Sequence, residues 1–542
     1  MYQFSGKLKM LAIVLMAVGL LGTGYSFFSA PKTLEEAKEI LAKQDAHHGG
    51  GHEAATTHNE EEHADEAKVE KHVEVENHEE DTTTETHVAD STATHTEEVA
   101  HNAEQEDSGE ATENTQAQDS SAVHVADDAH TETATDEAHE TTTEAHAEVA
   151  AHGEDHGDAH AEHALHQMQN RPWSALYVAL LFSLGITLLV LAFYGSQIVA
   201  QAGWSVVLHR VMEAISSNLH YVSLVMLVFL IVTAMHMNHL FTWMGEGVTD
   251  PTSPNYDAIV DGKKWWLNTP GWLIRSIIYL TGWNVYRFLI RKWSLAQDNG
   301  DLKQHKKNYN ATVIFLVFFM LTESMASWDW IMAIDPHWFS TLFGWYVLAT
   351  FLVSALTVIA MVTIYLRSKG VLPLVNDSHI HDLAKFMFGF SVFWTYLWFA
   401  QFMLIWYADM PEETTYFLLR FNEYKVPFLA MVVMNFIFPV LLLINSDFKS
   451  RPWFVILGGV VILAGHYIDL FVMIMPGTVG GQWGFGIGEI SGLLFFTGLF
   501  IFATFSAFAK ANPVPKGNPY LHESETYHYY NIEHTGEDSN HH

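Results

Sequence analysis

Apolar residues fill ten stretches of about 20 residues, the length an α-helix needs to cross a bilayer. They lie at 10–28, 173–196, 218–241, 270–290, 311–333, 342–366, 387–407, 426–445, 453–475 and 486–508. The pattern predicts an all-α integral membrane protein with ten transmembrane helices. One long polar stretch, 45–166, separates the first run from the second and holds no Phe, Trp, Tyr or Ile. Such a segment buries too little apolar surface to offset the entropy of ordering, so it is expected to be largely disordered.

Basic residues set the direction of the spans. Lys7 and Lys9, then Arg291, Lys292, Lys303, Lys306 and Lys307, then Arg367 and Lys369, Lys449 and Arg451, and Lys510 and Lys516 all fall in alternate loops. The positive-inside rule makes that side cytoplasmic. Both termini are therefore expected in the cytoplasm and the polar stretch outside, in the periplasm of a Gram-negative cell. His209 and Arg210, read as a loop, agree weakly; Lys263 and Lys264 disagree, on an outer loop that also carries Glu246, Asp250, Asp257 and Asp261. The first run is read as a retained anchor, because Phe28, Ser29 and Ala30 lack the small residue at −3 of a cleavage site and Pro31 follows.

Charge is distributed as unevenly as hydropathy. The formal net charge is −35, and residues 45–166 hold 35 Asp and Glu against Lys68 and Lys71, a net −33 that leaves −2 for the rest. That tract also holds 19 of the 33 His. Imidazoles among carboxylates suit a zinc, nickel or copper collector, but no ligand spacing recurs, and a solvated, self-repelling spacer is the other reading. The chain has no Cys, which excludes disulfides, thiolate-held iron–sulfur clusters and CxxCH-attached haem. If the chain serves redox chemistry, the metal centres are expected in a partner.

Ionisable groups within apolar spans are costly and mark function by default. The fourth span carries Arg275, the fifth Glu323 and Asp329, the ninth His466 and Asp469, and the tenth Glu489, with His236 and His239 ending the third. By sequence order nearly all sit in the outer half, and Glu323 near the middle. His466 and Asp469 are three apart and share a helix face. Asp335 begins an Asp-Pro-His turn and reads as a cap or turn residue as well as a proton carrier. Arg275, His236 and His239 are read either as interfacial or as polar contacts for a quinone. Intramembrane His pairs with haem b spacing and a GxxxxGK[ST] phosphate loop are both lacking, and Gly484, Gly488 and Gly492 are expected to let the last helix pack closely.

Two stretches resemble a known family: ESMASWDWIMAIDPHWFSTLFGWY from Glu323 to Tyr346 and QFMLIWYADMPEET from Gln401 to Thr414, together with His466 and Asp469 three apart. They are similar to the ActF-type, NrfD/polysulfide-reductase-like membrane subunits of bacterial alternative complex III. The resemblance implies two four-helix bundles with the first and tenth helices peripheral. With the acidic His-rich insert at 31–168 lying outside the resemblance, the chain is expected to divide into a transmembrane helix at 1–30, that insert, bundles at 169–341 and 342–476, a final helix at 477–510 and a cytoplasmic tail at 511–542. The resemblance also implies a bacterial cytoplasmic-membrane complex oxidising menaquinol or another quinol at an ActC-type partner. Iron–sulfur clusters and c-type haems would sit in periplasmic partners, with a terminal oxidase downstream and no cofactor in this chain. Three roles remain: a proton half-path through Glu323, Asp329, Asp335, His466, Asp469 and Glu489, a scaffold for the other subunits, or a metal transporter fed by the His-rich tract.

Overall fold

The computed structural model describes residues 2–48, 144–299 and 302–529, with side chains described for 2–43, 161–299 and 303–529. The chain divides into two compact units, Met1–Ala46 with His152–His542, and His47–Ala151. All described side chains belong to the first. Its helices are α1 (Gly6–Ser29), α2 (Leu34–His48), α3 (Glu144–Val199), α4 (His209–Ile215), α5 (Leu219–Ala234), α6 (Ala258–Gly262), α7 (Thr269–Gln297), α8 (Leu302–Trp330), α9 (Phe343–Ser368), α10 (Asp377–Ala408), α11 (Pro411–Asn422), α12 (Lys425–Val432), α13 (Phe438–Leu443), α14 (Ser446–Ser450), α15 (Pro452–Val479), α16 (Ile487–Phe508) and α17 (Leu521–Glu525). No strand occurs among the described residues.

Nine helical segments among the described residues are long and apolar enough to cross a membrane. The chain is thus a multi-pass membrane protein by length and composition. The fourth predicted run is helical too: α7 has 29 residues and starts with Pro270 in its first turn, after an Asn268 side chain that caps Gly271 N–H at 2.8 Å. It is not among the nine, because Arg275, Asn284, Arg287, Arg291 and Lys292 dilute its hydropathy. Several of these groups are satisfied within the protein: Arg275 by Asp329, Arg291 by Glu213, and Asn284 by Ser223 Oγ at 2.8 Å.

The insert expected over 31–168 is helical at both described margins. Leu34, Ala37, Ile40 and Leu41 repeat at helical spacing on α2, and Ala37 is buried with Ala164 and Met168 of α3. Averaging composition over the whole insert concealed this stripe. Residues 49–143, with most of the insert histidines, lie outside the described residues.

Loops fall into two sets, each bonded within itself. At one end Asn170 Nδ2 donates to His239 O (3.1 Å) and Thr478 O (3.4 Å), Lys263 Nζ to Pro336 O (2.6 Å), and Trp483 Nε1 to Glu423 O (3.0 Å). At the other, Arg210 reaches Asp298 (2.6 Å), Gln297 donates to Gly517 O (3.0 Å), Ser524 Oγ to Trp204 O (2.7 Å), and Asn376 to Tyr527 O (2.7 Å). Helix α7 runs from the first set, at Asn268, to the second, at Gln297. Between the ends α7 packs on α5 and α8, α9 on α8, α10 and α15, and α15 on α12.

Helix α1 lies on α16 through glycines. A Cβ on Gly19 would stand 2.4 Å from Phe495 N, and one on Gly498 2.7 Å from Ala12 O, so the two backbones nearly touch. Of the glycines expected to permit close packing, Gly488 meets Ser26 and Gly492 meets Ala179, while Gly484 precedes α16 beside Arg171.

Candidate functional site

Glu323 sits two turns before the end of α8, with its side chain buried and Oε1 without a hydrogen-bond partner. Beside it is a cavity of about 30 Å³ walled by α3, α7, α8 and α9 through Leu184, Trp283, Ser327, Val347 and Phe351. That volume is the size of one or two waters, but an apolar lining gives a water no hydrogen-bond partners. Among the described residues no cation pairs with this carboxyl, and Oε1 is closed off from the cavity, whose accessible lining is carbon.

His466 and Asp469, both fully buried on α15, face each other with Nδ1 3.5 Å from Oδ2. Asp469 is otherwise saturated: Tyr346 donates to Oδ1, while Thr350 Oγ1 (2.8 Å) and Trp394 Nε1 (2.9 Å) donate to Oδ2. Neither ring nitrogen of His466 makes a hydrogen bond. Its ring stands edge-on to Trp394, centroids 5.4 Å apart. A π-helical turn, Val433–Ile437, brings buried Asn435 against Gly465 next door, with both amide atoms unpartnered. The break in regular helical bonding aims a polar side chain at α15.

The remaining sequence candidates separate. Asp329 belongs with Arg275, which reaches it by Nε (2.9 Å) and Nη2 (2.7 Å), and Tyr279 donates to it at 3.0 Å. Arg275 also stacks 4.1 Å from the Trp266 ring. Glu489 bonds Arg171 Nε at 2.9 Å and caps α16 through Gly486 N–H at 2.8 Å. Asp335 ends the short turn Met332–Ile334. His236 and His239 are exposed, and His236 has a left-handed φ of 57°. His239 packs its ring 5.6 Å from His166, and burial together with the charges of His166 and His236 lowers its pKa. Arg275 therefore joins a carboxylate pair and does not form one cluster with the two histidines.

The opposite end is richer than the sequence suggested. His209 and Arg210, read as loop residues, are buried on α4. Arg210 bonds Glu213 (2.9 Å) and Asp298 (2.6 Å), while Arg291, Ser294 and, at 2.8 Å, Tyr194 also bond Glu213. An adjoining cavity of about 20 Å³ is lined by Gln197, His209 and Asn308, each with an unpartnered polar atom. The available signal was the i, i+3 spacing of Arg210 and Glu213 inside an apolar run. A second missed group is Arg420 of α11, buried with its guanidinium 3.3 Å from the Tyr416 ring and donating to Tyr416 O at 2.7 Å.

Among the described residues no group of three or more His, Asp and Glu is arranged to hold a metal. Comparison with protein-family models and with curated proteins returns no match.

Proposed function

We propose that this chain is the proton-transferring membrane subunit of a quinol:cytochrome c or quinol:oxidase oxidoreductase of the ActF type. In this reading ten helices cross a bacterial cytoplasmic membrane with both termini inside. Quinol oxidation belongs to an ActC-type partner, and iron–sulfur and c-type haem centres to periplasmic partners. Support for a tenth crossing comes from α7, which joins the two sets of loops. The observation that carries the proton role is Glu323, a buried carboxyl with no cation beside it among the described residues and an oxygen without a hydrogen-bond partner. Proton relays are built from such groups. His466 is the second member, with Nδ1 3.5 Å from Asp469 and Nε2 without a hydrogen-bond partner.

A scaffold reading draws on different residues. Asp329, Asp469 and Glu489 each spend their oxygens on protein donors, which suits fixed helix clamps better than carriers. The two readings part on Glu323→Gln in the assembled complex. Proton conduction through Glu323 makes proton release per quinol fall while quinol oxidation continues; an unchanged stoichiometry leaves the scaffold.

A further inference from the structure

Where α8 ends and the chain turns toward α9, a pocket of about 410 Å³ opens beside the segment leading into α7. It is lined chiefly by aromatic and aliphatic side chains, with one cation and one anion, Lys263 and Asp335. Trp328 and Trp338 both line it, and the indole N–H of each is buried without a partner. Both nitrogens are closed to solvent, so the two rings line the pocket through carbon. Lys263 spends one ammonium proton on Pro336 O at 2.6 Å and keeps two. The neighbouring charges are already committed: Arg275 to Asp329, Lys264 to Asp261, and His337 to Asp257. Trp265, 77% exposed at the rim, is the residue type that settles at a membrane–water interface.

We propose that this pocket binds a zwitterionic phospholipid. The phosphate oxygens accept from Lys263, the headgroup ammonium lies by Asp335 and the tryptophan faces, and the acyl carbons begin against Leu267 and Met332. A purely anionic lipid would satisfy Lys263 and set a second negative charge against Asp335. A quinone carries no charge to set against either Lys263 or Asp335. The inference requires membrane helices and is independent of proton transfer.

The test uses the full chain, delipidated in detergent and titrated with phosphatidylethanolamine or phosphatidylglycerol of matched acyl chains, with bound copies counted by native mass spectrometry. One phosphatidylethanolamine should be retained about five-fold more tightly than phosphatidylglycerol, as expected for one extra ammonium contact. Asp335→Asn should abolish that preference, and Lys263→Gln should weaken both lipids. Trp265→Ala, which removes an exposed ring and no core packing, should lower the preference even if Asp335→Asn folds poorly. Equal retention of the two lipids by the native chain, or a preference intact in both Asp335→Asn and Trp265→Ala, overturns the proposal. Full displacement of the lipid by a short-chain benzoquinone that binds Asp335→Asn as well as native protein would assign the pocket to a quinone instead.

Discussion

Arg275 and Asp329 meet across α7 and α8 in a two-pronged ion pair, with Nε to Oδ2 at 2.9 Å and Nη2 to Oδ1 at 2.7 Å. Asp329 is fully buried, whereas the Arg275 side chain is 16% exposed. Removing the arginine alone strands a buried charge, which typically costs about 3–5 kcal/mol, while replacing both partners by apolar residues is often neutral. Arg275→Ala should therefore lower the thermal midpoint of the detergent-solubilised chain markedly. The pair Arg275→Met with Asp329→Leu should recover most of the loss. If the double variant is as unstable as the single one, the pair does more than neutralise itself.

At the loop that holds α6, Asp257 accepts from Ile259 N–H (2.9 Å) and Val260 N–H (3.1 Å), and bonds His337 Nε2 at 2.6 Å. Burial opposes its ionisation, but those N–H groups and His337 outweigh it and hold its pKa below the usual carboxylate range. A depressed folded value means that the unfolded loop binds the proton first as pH falls. The latch is thus at full strength above the ordinary aspartate value near ~3.9 and weakens as pH drops through the lowered one. Hydrogen exchange across 257–262, corrected for intrinsic rates, should rise below about pH 4. Asp257→Ala should show fast exchange throughout and lose the step. A step that survives in that variant would belong to another group.

The helices were legible because their signal is summed over about 20 residues, so single polar exceptions hardly move it. Partners were harder, since a pair such as Arg275 and Asp329 is 54 positions apart in sequence. Sequence order gave both residues a similar depth, but depth does not say which faces meet. Arg210 and Glu213 mislead for another reason: a cation beside a predicted helix end reads as a loop charge, although Arg210 has its countercharge one turn away. Asn435 looked inert in the sequence, because the π-helical turn that aims it at Gly465 is a property of packing. The α2 stripe is four apolar positions in a 138-residue insert, too few to register in its average composition.

Because Ala37, Ala164 and Met168 are buried together, the margins of the insert belong to the packed unit. A deletion of 49–143 keeps these contacts and should leave the detergent-solubilised core with an unchanged thermal midpoint and helical circular dichroism. A longer deletion that takes Ala164 and Met168 removes the seat of α2. Ala37→Asp tests the same contact without a deletion, since it buries a charge against Met168, and it should expose α2 to limited proteolysis while sparing the helices from α5 onward. If the 49–143 deletion alone destabilises the core, the two compact units are not independent.

The absence of Cys supplies a clean background for testing how α1 is held. A Cβ on Gly488 would lie 3.2 Å from Ser26 Cβ, slightly closer than the usual disulfide separation of about 3.5–4.5 Å and within reach of a small backbone adjustment. Ser26→Cys with Gly488→Cys should therefore crosslink under mild oxidation in the membrane. The bond would close a loop that contains the whole insert, and proteolysis within 49–143 should then leave α1 attached until a reductant is added. Gly19→Val, added to the pair, places methyl groups where Phe495 N already stands 2.4 Å from a bare Cβ. Backbone cannot move aside as a side chain can, so α1 must shift and crosslinking should fall by about ten-fold, the effect of a ~1.4 kcal/mol cost, which lies within the usual range for overpacking. Efficient crosslinking in the presence of Gly19→Val would show that the contact near Ser26 holds α1 without the glycine seam.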